Sequence, residues 1–437
     1  MYHRRAVLAL LGGAALAGCG FRSRERTPTG TAALGTVAGP TTPPRTTHLT
    51  PSGNRVAAGT GGMPGTEPLD VRLDLGGQPR WVVAVPARDG AGSYWVTVED
   101  EGAAVAHRVD GTGAARTAVR ADLSPGQPPT LGADADGPVV PPVPPGTSGV
   151  SHPLRLPDGP RTFVADDGAL VIVGPDRTHR LDVAAPPDAY PVLAPGGSGT
   201  DPRVVVLSDA TDRYGHGALG DRIEAGGFSV VDPAAAAVVE RVSVPGTAVI
   251  EGQAPIVADL SADGRPEVVV TEADAAAGAR VAVYSLAGDR VAAGPAVGSG
   301  FRWRHQLAVA PFPPDGRPEV AVVRTPHIGG TAEFYRLDGA RLRIAATLDG
   351  VSSHAIGSRV LDGAVAADAD GDGRFELIVP DDARERLVGI RRTADGAEAA
   401  WSVPVGGRVA SNLHAVTVGD HLVLGVARSD GVLRLWR

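Results

Sequence analysis

The sequence predicts an all-β fold, a β-propeller of about seven four-stranded blades, and three observations predict it. Valine-rich apolar segments are short and broken by Gly, Pro and Asp, the pattern of strands and turns and not of helices. Gly and Pro number 59 and 38 while aromatic residues are only 4%, so turns are frequent and the core is built from small β-branched side chains. From about Leu69 onward the chain repeats with a period of roughly 50 to 60 residues, slightly longer than a blade of about 40 to 50.

Three copies carry the repeat most clearly. They are residues 257–270 (VADLSADGRPEVVV), 309–322 (VAPFPPDGRPEVAV) and 366–379 (AADADGDGRFELIV). Each reads as a short strand, an Asp/Gly turn and a second apolar strand. Weaker echoes begin near Trp81, Leu131 or Phe163, Val192 and Ala415. Around the second copy the spacing predicts strands at Leu307–Ala310, Glu319–Val323, Ala332–Leu337 and Leu342–Thr347, with Asp338-Gly339 as a tight hairpin between the last two. One such unit cannot bury both its faces. Units arranged radially can, and they leave only short protected edges. A row of β-sandwiches is the alternative, but no linkers separate the copies, which favours one closed ring.

The first 65 residues read differently. Arg4 and Arg5 precede an apolar run from Ala6 to Ala17, then small residues lead to Cys19. This is the layout of a secretory signal, and the run is shorter than the roughly 20 residues that span a bilayer. Leu16-Ala17-Gly18-Cys19 resembles the bacterial and archaeal lipoprotein box. The resemblance implies cleavage after residue 18, a lipid on Cys19 and anchoring on the extracytoplasmic side of the membrane. The arginine pair also loosely resembles the twin-arginine signal. Cys19 is the only cysteine, so the mature domain has neither disulfide nor thiolate metal site. Residues 19–65, rich in Thr, Pro and Gly, are expected to be a flexible tether. Residues 66–437 are expected to be the propeller, with Pro138–Pro145 a loop between strands. The net charge of −8, with both signs interspersed, argues against a nucleic-acid partner.

Asp368, Asp370, Asp372, Gly373 and Glu376 form D-x-D-x-D-G-x-x-E. Carboxylates at alternate positions can converge on one hard cation, and the glycine permits the sharp turn. The pattern resembles the FG-GAP or VCBS repeat of integrin-type propellers. The resemblance implies a structural calcium held by Asp368, Asp370, Asp372, the carbonyl of Arg374 and Glu376. Asp259, Ser261, Asp263 and Glu267 form a weaker copy. The turn at Asp315 has Pro311 and Pro313 at ligand positions and is expected to be metal-free.

Strands alternate in direction, so the first turn of every blade points to one face and the loop after the second strand to the other. Sorted in this way, the histidine-rich loops fall opposite the acid turns. His216, His305, His327 and His354, with His414, are expected to share a face with Asp221, Glu224, Glu251, Arg302, Arg304 and Arg359. Arginines there suit an anionic ligand and histidines suit metal or proton transfer. The plainer alternative is that these residues satisfy backbone groups between blades. No G-x-S-x-G elbow, P-loop or Rossmann fingerprint is present. The leading expectation is a binding protein for a protein, glycan or small anionic partner. The alternatives are a lyase or hydrolase acting on an anionic substrate, and a structural adhesion module.

Overall fold

The computed structural model describes residues 56–61, 67–151, 153–156, 161–194 and 201–437. The signal segment 1–18, Cys19 and most of the expected tether lie outside them. The described chain is all β, without a helix. Its strands fall into seven antiparallel four-stranded units, the hairpin Gly132–Asp134/Gly137–Val139 and one further strand, Val56–Thr60. Six units are consecutive in sequence. They begin at Pro79, Leu154, Val192, Val249, Arg304 and Val365. In the unit of the second repeat copy the strands are Arg304–Ala310, Glu319–Arg324, Gly330–Asp338 and Arg341–Val351, each containing its predicted span. Asp338 pairs with Arg341 across Gly339, whose φ of 57° suits the residue without a Cβ.

The seventh unit is completed from the far end of the chain. Strands His414–Val418, His421–Ala427 and Val432–Trp436 take their fourth partner from Leu69–Arg72, which pairs antiparallel with Val432–Trp436. Arg434 fixes this join by donating to both carboxylate oxygens of Asp70 at 2.6 Å. Sequence distance hides such a pairing: Val432–Trp436 has His421–Ala427 as a local partner, but nothing near Leu69–Arg72 pairs with it.

The second strand of each unit explains the continuous apolar runs. Val204–Leu207, Val268–Val270, Val320–Val323 and Leu377–Val379 are fully buried. Both faces of these strands are covered by neighbouring units, so they do not alternate polar and apolar residues. The outer strand Ala237–Ser243, by contrast, alternates and is largely exposed. Core clusters run between units. Ile256, Leu260 and Val269 of one unit pack with Val320, Tyr335 and Leu342 of the next.

Residues 56–61, expected as tether, are part of the fold. Val56–Thr60 lies parallel to Val365–Asp368 and touches the next unit at His421. Gly61 continues the ladder, its N–H donating to the Asp368 carbonyl at 2.9 Å. A Cβ at Gly61 would lie 2.1 Å from the Ala369 carbonyl oxygen, so only glycine fits. This strand escapes a sequence reading because Val-Ala-Ala-Gly-Thr lacks an alternating pattern and has no local partner.

Candidate functional site

The antiparallel units have two ends. The turns at Asp259, Asp315 and Asp368 join first to second strands and lie at one end. Loops after second strands, and connections into the next unit, lie at the other.

At the first end, one carboxylate oxygen from each of Asp259, Asp263 and Glu267 lies within 4.8 Å of the others. The same holds for Asp368, Asp370 and Glu376, and for no other His, Cys, Asp or Glu triplet among the described residues. In the first turn Ser261 Oγ donates to Glu267 at 2.8 Å, and the N–H groups of Asp263 and Gly264 donate to Asp259. No arginine among the described residues pairs with these three acids. In the second turn a cation is already present. Arg391 pairs with Asp370 and lies 3.2 Å from Asp372 and 3.3 Å from Glu376. Asp372 stands outside the triplet and accepts from the N–H of Arg374 at 2.9 Å. Both sets have the oxygen chemistry of a calcium site, but the second holds an ion only if the Arg391 guanidinium swings away. The Asp315 turn has no triplet: Arg336 bonds both Asp315 and Glu319.

At the opposite end the predicted residues divide. His216, His327, His354 and His305 form one chain of ring contacts, with centroid separations of 6.4, 5.6 and 6.3 Å in that order. Phe301 stacks on His216 at 5.3 Å and Trp303 on His305 at 4.8 Å. His216 pairs with Glu251, and Arg359 with Asp221 at 2.6 Å. His354 Nε2 donates to the Ser358 carbonyl at 2.8 Å, and its buried Nδ1 has no hydrogen-bond partner. The loop carrying His216, Ala218, Leu219 and Asp221 closes over this end, Ala218 and Leu219 packing on Trp303 and Leu361. Beneath it Glu251, Gln253, Trp303 and His305 line a cavity of about 10 Å³, room for about one water.

Three expected members are elsewhere. Arg304 is buried between units, where it bonds Glu333 of its own unit at 2.8 Å and, toward the preceding unit, the carbonyls of Ala279 and Pro295 at 2.7 Å. Arg302 is exposed and makes one long bond, 3.4 Å, to the Val297 carbonyl. His414 packs edge-on to Trp95, with its Nε2 3.3 Å from the Ala84 carbonyl oxygen.

Electrostatics separate this end from a simple anion basin. Burial holds His354 down to about 4, helped by the nearby charge of Arg384 and opposed by the Ser358 carbonyl. Burial lowers His327 as well. Burial, reinforced by Glu251, Asp188 and Asp221, lifts Glu224 to about 10, so this carboxyl keeps its proton at neutral pH. Burial and Asp221 lift Asp188 to about 6 against the pull of Arg359. Burial therefore holds His354 and His327 toward their neutral forms, and Arg359 is engaged by acids. Asp188 was invisible in the sequence because its connection, Pro186–Tyr190, carries no histidine to mark it. The Arg384 loop follows a second strand like that of His327, but it too carries no histidine.

No known family and no characterised protein matches the sequence. Among solved structures, the chain is similar to the crystal structure of quinohemoprotein alcohol dehydrogenase from Comamonas testosteroni. The TM-score is 0.51 at 11% identity, covering 90% of this chain and 80% of that chain. It is also similar to BBS1N in complex with ARL6DN (TM-score 0.46, 12% identity, 84% of this chain and 96% of that chain). A third is BamB from Moraxella catarrhalis (TM-score 0.35, 15% identity, 84% and 98%). These are β-propeller-type folds, and at such identities the first of them speaks for fold alone: the chain is an all-β, propeller-like protein.

Proposed function

We propose that this chain is an exported, lipid-anchored propeller whose seven four-stranded units are its blades, and that it binds a partner at the histidine end. One observation carries the reading. Of the four large apolar side chains that are exposed among the described residues, three surround this end: Phe301 (56% exposed), Ile328 (74%) and Ile356 (65%). Apolar groups gathered around a polar centre mark interaction sites. Binding is favoured over catalysis because the imidazoles have structural partners: His216 has Glu251, His305 has Ser353 and His354 has the Ser358 carbonyl.

The acid turns at the other end serve as calcium-braced corners. Asp259, Ser261, Asp263 and Glu267 would hold one ion. Asp368, Asp370, Asp372, the Arg374 carbonyl and Glu376 would hold another once Arg391 is displaced. Such an ion stabilises only the folded state. Cys19 would tether the domain to the membrane, with residues between it and Val56 as the spacer.

The reading is tested by placing a photo-cross-linking residue at Phe301, at Ile328 or, as control, at Val239 on an outer strand. Discrete adducts in intact cells are expected from the first two positions. Adducts of equal yield from Val239 would remove the preference for this end.

A further inference from the structure

Of the arginines that the loop pattern singles out, Arg302 is exposed and the other two are paired with acids. Arg359 is paired with Asp221 and Arg304 with Glu333. Arg384 has neither an ion pair nor a side-chain hydrogen bond among the described residues. Arg384 is half-buried, and it lines a cavity of about 240 Å³ between the units that begin at Val365, His414 and Pro79. Arg80 lines the same cavity, its charge met by Asp100. Ile356 forms an apolar wall and Ser358 lies beside it.

Burying a guanidinium without a counter-charge is costly. Burial and the like charge of Arg408 both push Arg384 below its ordinary range. The backbone adds a second cost. Arg384 has φ of 58°, a left-handed conformation that glycine or asparagine adopts more readily. The surrounding turn enforces it. The Arg384 N–H donates to the Asp381 carbonyl at 2.9 Å, and its own carbonyl accepts from Val409 at 2.8 Å. Asp381 also accepts from the N–H groups of Glu385 and Arg386. Strain held in place by an over-determined turn points to function. The wall opposite supplies the apolar surface that a purely solvated arginine would not need.

From this juxtaposition we infer that the cavity is a binding site for a small organic anion, a carboxylate or phosphate monoester, held by Arg384 with its apolar part against Ile356. A guanidinium offers a planar fork that matches either group. The inference deepens the reading of this end as a binding face. It stands apart in its test, since the cross-linking positions Phe301 and Ile328 do not line this cavity.

The probes are phenyl phosphate, benzoate and inorganic phosphate, titrated calorimetrically into the full chain at low salt. Phenyl phosphate or benzoate is expected to bind at least tenfold more tightly than inorganic phosphate, and whichever is tighter assigns the acid group. Arg384→Gly is expected to weaken that binding at least tenfold while raising the melting temperature, because glycine relieves the left-handed strain. Arg302→Ala is expected to leave it unchanged. An arginine that merely held the turn would give the reverse, a lower melting temperature on replacement. The inference is overturned if none of the probes binds at millimolar concentration, if Arg384→Gly binds as the parent does, or if Arg302→Ala matches Arg384→Gly. Failure of cross-linking with intact anion binding would sink the partner-binding reading alone.

Discussion

Glu319 and Glu267 occupy the same place in adjoining units, at the start of the second strand, and both are buried. What faces them differs. Across the strand from Glu319 stands Arg336, 2.9 Å away, and Arg392 of the next unit reaches back to it at 2.8 Å. Across from Glu267 stands Ser285, and the place of Arg392 is taken by Leu337, which packs into the apolar cluster around Leu260. One carboxylate is closed by two guanidinium groups. The other faces a serine and two further acids. A buried carboxylate needs a counter-charge or a proton, so the residue opposite decides whether the turn has room for an ion. Glu376 is intermediate, with Arg391 opposite it. D-x-D-x-D spacing alone ranks the Asp368 turn above the Asp259 turn as a cation site; the cross-strand residue reverses that order.

The largest test breaks the closed turn. Glu319→Ala leaves Arg392 buried without its carboxylate. Losing one partner of a buried ion pair costs about 3–5 kcal/mol. The loss should be the same in calcium and in EDTA, as read by denaturant unfolding. A loss that depends on calcium would show that Glu319 also serves an ion.

The next test addresses the open turn. At a calcium concentration about a hundredfold above the dissociation constant, an ion adds roughly 2.7 kcal/mol to folding. Asp259→Ala should remove that increment while changing stability in EDTA much less. Ser285→Arg should remove it too, by supplying the guanidinium that Arg336 and Arg391 supply elsewhere. Arg391→Ser should create a larger calcium response at the Asp368 turn. If Ser285→Arg and Arg391→Ser leave both responses unchanged, the cross-strand residue is not the determinant.

What the sequence reveals follows from how local each feature is. The acid turns and the four strands from Arg304 to Val351 are consecutive, and their patterns lie within a few residues. The pairing of Leu69–Arg72 with Val432–Trp436 and the insertion of Val56–Thr60 join remote segments, and no short pattern marks either. Sorting loops by strand direction brings four histidines to one end, and their rings meet there. The same sorting fails for Arg304, because it assigns a loop to an end and not a side chain to a direction. Counter-charges such as Arg391 and Arg392 lie on third strands, beyond any turn motif.

A third fate of a buried carboxylate appears at the histidine end. Glu224 faces neither arginine nor an acid turn, and burial raises it to about 10. In the folded state it stays protonated where the unfolded chain, near its ordinary value, is ionised. Its stabilising share is complete below about pH 4.5 and declines as pH rises toward 10. Glu224→Gln keeps the shape of the protonated acid and removes this dependence. It should stabilise the protein at pH 8 by about 1–2 kcal/mol and change little at pH 4.5. An equal effect at both values would mean that Glu224 finds a counter-charge after all.

The smallest effect is predicted at Asp315, the aspartate matching Asp263 and Asp372 in the repeat. Its side chain is 47% exposed and pairs with Arg336 at 3.0 Å. Pro311 and Pro313 occupy the places of Asp259 and Ser261, so no other side-chain oxygen precedes it in the turn. An exposed pair of this kind contributes about 0–1 kcal/mol. Arg336 also keeps Glu319 when Asp315 is lost, so the turn stays closed. Asp315→Ala should therefore cost less than about 1 kcal/mol, with identical melting shifts in calcium and EDTA. The informative quantity is the difference between this variant and Asp259→Ala under the same two conditions. If both lose the same calcium-dependent increment, the response arises away from the turns, and the contrast between arginine-closed and open carboxylates explains nothing about ion binding.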